Sequence, residues 1–219
     1  LTEKKISKIS VREDGTRHQG CDESSGWVWY AARALEKHLL EMQCDNKFVL
    51  DKLRILELGS GTGWLSLLLA EQGAIVTATD RTGALPLLLR NVMRNQELHP
   101  DVDEDGESTL QVDVQQLHWD KQEERIEGEW DLFVGSDVLY LQETYGPLLQ
   151  TLIRHNCRLC ILAWEERKPQ EEATFFELAR AAGFQFDSPS LQIAINPTTL
   201  KPFGAYILRT VVIQLLQQS

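Results

Sequence analysis

The chain has 219 residues, 42% hydrophobic and 25% charged, which suffices for one domain with a substantial core and is ordinary for a globular protein. A formal net charge of −11 argues against general nucleic-acid binding, which works through basic patches, and is compatible with a cationic partner or with solubility alone. No apolar run reaches the roughly 18 residues that a membrane helix needs. The start, Leu1-Thr2-Glu3-Lys4-Lys5, has no apolar signal region and no initiator Met. The expectation is therefore a cytoplasmic or nuclear protein, trimmed at its start, with no membrane or nucleic-acid partner.

Residues 1–23 are polar and form an N-terminal extension or edge strand, since Lys5–Val11 alternates in polarity. The main domain is expected over 24–219. Ser24 or Ser25 can cap a first helix in which Val28, Ala31, Ala32, Leu35 and Leu39 recur at helical spacing. Trp27, Trp29 and Tyr30 cluster at its first turn, either as core aromatics or as a lid over a ligand. Ile55, Leu56 and Leu58 then make a short apolar strand of the kind buried in parallel sheets.

Gly59, Gly61 and Gly63 follow at spacing two, and a helix from Trp64 to Ala70 is closed by Gly73. Strand, glycine turn and helix make the first half of a nucleotide-binding βαβ unit. The dinucleotide fingerprint would need a third glycine where Trp64 stands. Here the pattern is E-x-G-x-G-x-G, with Glu57 inside the strand. A carboxylate at that place repels a pyrophosphate and suits S-adenosylmethionine (SAM), which carries an ammonium and a sulfonium but no phosphate.

Ala74–Asp80 reads as a second strand, ending in an acid able to accept bonds from both ribose hydroxyls. A helix over Leu85–Asn95 has Pro86 in its first turn. The acidic run in Glu97–Ser108 is a solvated loop whose spacing does not match a calcium-binding loop. Further strands are expected over Leu110–Val114, Trp130–Ser136 and Leu159–Trp164, and near Phe184–Phe186 and Ile207–Leu216. Helices are expected from Pro147 to about His155 and over Phe175–Ala182. Cys157 and Cys160 should face opposite ways on one strand, a poor geometry for metal, so no metal site is expected. All four cysteines, with Cys21 and Cys44, read as free thiols in a reducing compartment.

Strands alternating with helices imply an α/β, doubly wound, mostly parallel sheet covered on both faces. Ligands bind such sheets at the carboxyl ends of the strands. Gly59–Gly63, Asp80, Trp119 and Ser136–Tyr140 all follow strands there, and that convergence marks the candidate site.

With these residues in view, the chain resembles the seven-strand (class I) protein lysine methyltransferases sometimes called methyltransferase family 16. Four stretches carry the likeness: Gly26-Trp27-Val28-Trp29 with its helix, Ile55–Gly63, Ala78-Thr79-Asp80 with Leu87–Val92 and Asn95, and Ser136-Asp137-Val138-Leu139-Tyr140, a D-x-x-Y signature. The resemblance implies a single Rossmann-like domain with a seven-stranded sheet, SAM as cofactor and a protein lysine as acceptor, in an enzyme expected to be monomeric. It implies that Glu57, Gly59, Gly61 and Gly63 hold the methionine moiety, Asp80 the ribose and Trp29 the amino-acid end. Trp119 would flank the adenine, and Ser60, Arg81 and Ser136 complete the cofactor set. Asp137 and Tyr140 would face the lysine as catalytic residues. Leu117-His118-Trp119-Asp120 departs from the family's Leu-Asp-Trp-Gly, so His118 is not carried over and a different turn is expected. Two rival readings stay open: a class I methyltransferase for a small molecule or another side chain such as histidine, and a non-catalytic module that keeps the fold.

Overall fold

The computed structural model describes residues 9–13, 26–45, 49–100, 109–187, 190–195 and 202–215. Helix α1 (Tyr30–Cys44) leads into β1 (Arg54–Leu58), α2 (Trp64–Glu71), β2 (Ile75–Asp80), α3 (Leu85–Leu98) and β3 (Val112–Gln116). Then come β4 (Leu132–Ser136), α4 (Tyr145–Arg154), β5 (Leu159–Glu165), α5 (Pro169–Ala181), β6 (Phe184–Phe186), β7 (Ser190–Ile195) and β8 (Pro202–Leu215).

The sheet runs β3-β2-β1-β4-β5-β8-β6, and β7 pairs with β8 off that path. The pairings from β3 through β5 are parallel, while β8 runs antiparallel to its neighbours. This is the expected seven-position sheet with one further strand. The stretch after β6 forms the β7–β8 hairpin where a single strand was expected: β6 covers only Ile213–Leu215 of the β8 edge that faces away from β5, and β7 pairs along the rest of that edge. No helix among the described residues is long and apolar enough to cross a membrane.

Both faces of the sheet are covered, which is why its central strands read as apolar runs. Ile55, Val76, Ala78, Leu132, Val134 and Ile161 pack against α1, α2 and α3, while Leu56, Leu58, Phe133, Leu162 and Trp164 pack against α4 and α5. Period-two alternation therefore aims Glu57 at the face carrying α2.

Several boundaries differ from the sequence reading. Helix α1 begins at Tyr30, with Trp29 as an extended N-cap, so Trp27, Val28 and Trp29 precede it. The two candidate serine caps, the 23/24 domain boundary, Cys21 and most of the acidic run lie outside the described residues. Of the Lys5–Val11 strand only 9–11 is described, and it has no strand pairing. Helix α5 starts six residues early because Pro169 opens it and Glu172 binds the preceding main chain. Cys157 lies before β5, after a left-handed Asn156, so it does not alternate with Cys160. Both thiols are buried in one cluster; burial, with a hydrogen bond and charge from Cys157, raises the Cys160 pKa.

Two buried asparagines on α3 stitch residues 10–12 to the domain. Asn95 Oδ1 accepts from Ser10 N at 3.1 Å while its Nδ2 donates to Ser10 O at 2.8 Å. Asn91 Oδ1 accepts from Arg12 N at 3.0 Å, and its Nδ2 donates both to Arg12 O at 3.0 Å and to Thr62 O at 2.9 Å. Side-chain amides thus replace a missing strand partner. Asn95→Leu should cost about 1–3 kcal/mol, since it removes the bonds that a fully buried side chain makes to Ser10 N and O and to Asn91 O. Urea unfolding reads this directly, and a loss below about 0.5 kcal/mol would show the strap to be peripheral.

Candidate active site

Strands β2 and β3 extend the sheet to one side of β1, and β4 and β5 to the other. The crevice outside the carboxyl ends of β1 and β4 is the topological switch point where open α/β sheets bind ligands. A cavity of about 670 Å³ lies there. Its walls include Trp29, Glu57, Gly59, Ser60, Gly61, Asp80, Arg81, Trp119, Ser136, Asp137 and Tyr140. Those are the sequence-predicted residues with the exception of Gly63, which caps α2 from a left-handed conformation at φ 79°. A Cβ there would come within 2.7 Å of Leu88 Cδ1, so Gly63 serves the close packing of turn on helix.

The glycine turn is held by the end of β2. Gly59 N and Ser60 N both donate to Thr79 O, at 3.0 and 2.9 Å. Gly61 N donates to Asp80 Oδ2 at 2.8 Å, and Arg81 N to Asp80 Oδ1 at 2.8 Å. A carboxylate accepts about four hydrogen bonds, so Asp80 can brace the turn and still accept from a ligand.

Glu57 is buried and accepts a hydrogen bond from Ser66 Oγ of α2. Burial pushes its pKa up to about 7; the Ser66 bond and the Ser60 hydroxyl act in the opposite direction, and the charge of Asp80 adds to the rise. Although the Ser60 hydroxyl is near enough to favour the charged form, its oxygen has no partner of hydrogen-bonding geometry. Trp64 Nε1 is likewise buried without a partner, and both residues face the cavity.

At the β4 end, Asp137 takes a left-handed φ of 57°, unusual outside glycine. Its carboxylate is gripped from two sides by Arg167, with Nη1 2.8 Å from Oδ1 and Nη2 2.9 Å from Oδ2. The Arg167 guanidinium lies 5.4 Å from the centroid of the Trp29 ring. Burial lowers the Arg167 pKa, yet its hydrogen bonds and charge pairing with Asp137, helped by Glu165, raise it overall. Tyr140 is exposed on the cavity rim, as is Trp27.

His118 lines the cavity with its ring occupied: Nδ1 is 2.9 Å from Glu124 Oε2, and Nε2 is 3.3 Å from Thr82 Oγ1. Trp119 follows it, its carbonyl accepting from Arg154 and its ring closing over Gly59. Sequence reasoning missed Ser66 and Arg167. A lone serine in the otherwise apolar Trp64–Ala70 run was a signal for the first. For the second, the rule that sites follow strand ends applies to β5 as much as to β4.

Comparison with known proteins agrees with this geometry. Magnesium protoporphyrin IX methyltransferase from Synechocystis, solved with bound SAH, superposes with a TM-score of 0.60 at 16% identity, covering 85% of this chain and 84% of that one. The glycopeptide N-methyltransferase MtfA gives 0.55 at 14% identity, covering 83% and 90%. The fold is therefore the Rossmann-like fold of class I methyltransferases. A family model described as lysine methyltransferase matches residues 5–182, and the chain belongs to that family. It is 39% identical over 126 residues to the protein N-lysine methyltransferase METTL21A of Danio rerio, covering 57% of this chain and 52% of that protein. It is 33% identical over 152 residues to the EEF1A lysine methyltransferase 3 of Mus musculus, covering 68% and 59%. The chain thus spans about half to two thirds of the length of the curated relatives it matches.

Glu57 generates a prediction with a definite sign. Between its ordinary value of 4.5 and about 7 the folded chain holds a proton that the unfolded chain has released. Glu57 should therefore lower the unfolding free energy as pH rises through that window, by up to about 1.4 kcal/mol per unit. Urea unfolding of wild type and Glu57→Gln near pH 5 and near pH 7 reads the difference in slope. Equal pH dependence in the two proteins would mean that Glu57 is ionised throughout.

Proposed function

We propose that this chain transfers the methyl group of SAM to the side-chain amine of a lysine on a protein substrate. The observation that carries the reading is one cavity whose walls combine a buried acid, a left-handed glycine turn braced by Asp80, and the Asp137–Tyr140 pair. The names of the relatives, METTL21A and EEF1A lysine methyltransferase 3, support the lysine acceptor.

The residues present suit SAM. Trp64 Nε1 and Ser60 Oγ are buried polar atoms on the cavity wall still lacking partners. A Cβ on Gly59, at φ 73°, would press on Val138 Cγ1 at 3.2 Å, so the backbone itself forms the floor. Glu57 complements an ammonium, and a cation beside it would favour its charged form. Asp80 would take the ribose hydroxyls, Trp119 the adenine face and Trp29 the amino-acid end, with Arg81 and Ser136 beside them. SAM supplies an electrophilic methyl on a sulfonium.

The chain's task is to hold the acceptor in line at about 3–3.5 Å from that carbon. A lysine has a free pKa near 10.4 and must arrive neutral. Asp137 is already hydrogen-bonded to Arg167, so it orients the amine rather than acting as an independent base, and the proton leaves to water. Tyr140 offers ring area to the cationic side chain and a hydroxyl to direct it. Trp27 and the Leu117–Asp120 loop line the same cavity.

Incubation with labelled SAM and a lysate, followed by mass spectrometry of the labelled band, should place methyl on a protein lysine. Label on histidine or only in small molecules would replace the lysine reading. Asp80→Ala should weaken SAM binding by roughly tenfold or more, because charge-assisted bonds of about 1.5–3 kcal/mol are lost with the brace on Gly61. Calorimetry checks this, and unchanged affinity would move the cofactor elsewhere. Asp137→Ala should lose most turnover while keeping much of its SAM affinity; a normal rate in the folded variant would remove Asp137 from the mechanism.

A further inference from the structure

Arg167 lies in the short link between β5 and α5, and its main chain is fixed from the helix side. Glu172 Oε1 accepts from both Arg167 N and Lys168 N at 2.8 Å, while Glu172 Oε2 accepts from Trp164 Nε1 at 2.9 Å. The guanidinium then reaches back across the β4–β5 edge. It makes two parallel bonds to Asp137, a third to Glu165 Oε2 at 2.7 Å, and a face contact with Trp29. Asp137 Oδ1 also accepts from Glu165 N at 3.2 Å. One planar cation therefore joins the ends of β4 and β5 to the start of α1, with three hydrogen bonds given to carboxylates.

The charge balance at this end of the cavity gives the cation its significance. Asp137 and Glu165 are two carboxylates facing one guanidinium. The other charged groups nearby are engaged or peripheral: Glu166 pairs with Arg209 of β8 at 2.8 Å, Glu172 of α5 is buried beneath the link, Arg33 of α1 lies over Trp64, and Glu143 is exposed on the rim. An amine entering beside Asp137 would meet nearly two negative charges without Arg167 and about one with it. Unbalanced acids hold an incoming ammonium in its protonated, non-nucleophilic form.

We propose that Arg167 is a positioning residue for the acceptor: it fixes the Asp137 carboxylate in its left-handed turn and balances its charge, so that the acceptor amine is oriented without being trapped as an ammonium. This rests on the reading of the cavity as a site for SAM and a lysine. A bidentate fork is suited to the role, since lysine could supply the charge but not the planar geometry.

The test compares two ligands that differ by one charge at the relevant place. S-adenosylhomocysteine is neutral where the methyl would be; sinefungin carries an amine there. Their calorimetric affinities give a ratio that a merely structural arginine would not move. Arg167→Gln should raise the sinefungin preference roughly fivefold, as expected for one partly screened charge. Arg167→Lys should keep the ratio close to that of wild type. Asp137→Asn, which leaves the guanidinium unpaired, should lower it. An unchanged ratio in an Arg167→Gln protein that still binds S-adenosylhomocysteine would overturn the proposal and leave the cofactor reading intact. If the glutamine variant does not fold, Asp137→Asn decides: a ratio that fails to fall overturns the proposal. Wild-type protein that binds neither ligand would overturn both.

Discussion

The hold of β2 on the glycine turn is the constraint on which the cavity depends. Thr79 O accepts from two successive turn amides and Asp80 Oδ2 from a third. Turn residues Gly59 and Gly61 sit at positive φ, where side chains are strained, so the turn needs these bonds to stay in place. Once pinned, it presents the main chain at Gly59 and Gly61 and the Ser60 hydroxyl to the cavity. It also aims α2, with Ser66, directly at Glu57. From the far side Asn91 ties Thr62 O to the strap at Arg12, so the turn is bounded by β2, α2 and α3 together.

The electrostatics of the cavity are arranged in two separate compartments. Deep in the cavity, burial pushes the Glu57 pKa up to about 7. At the β4–β5 edge, Asp137 is charged but matched by Arg167, and its backbone sits in a conformation that costs of order 1 kcal/mol or more. An acid in a left-handed turn paired with a guanidinium and a buried acid hydrogen-bonded to Ser66 are two different environments in one cavity. Tyr145, fully buried with its hydroxyl on Leu139 O, supports the Asp137–Tyr140 stretch from below.

Much of this was legible in the chain because the determining features are local. The Ile55–Gly63 pattern specifies a strand and a turn within one short stretch, and Asp80 ends the next strand by simple counting. Convergence on one sheet edge follows from topology alone. The strand-end rule points to the stretch after β5 but does not single out Arg167, whose role depends on β5 lying beside β4 and on Glu172 fixing the link, both long-range outcomes of packing. The same holds for the β7–β8 hairpin, which depends on the length of β8 edge that β6 leaves uncovered. Trp29 fell between two readings, core aromatic or lid, since its place depends on where α1 starts. With the helix beginning at Tyr30, Trp29 faces the cavity.

The central claim is that the cavity at the β1–β4 switch point holds SAM with its methyl end toward Asp137. A crystal structure of the chain with S-adenosylhomocysteine tests it most directly. The account predicts the ribose on Asp80, the amino-acid end beside Glu57 and Trp29, the adenine against Trp119, and the sulfur turned toward the Asp137–Arg167 pair. Ligand bound outside this cavity, or inside it with the sulfur turned away from that pair, would contradict the account.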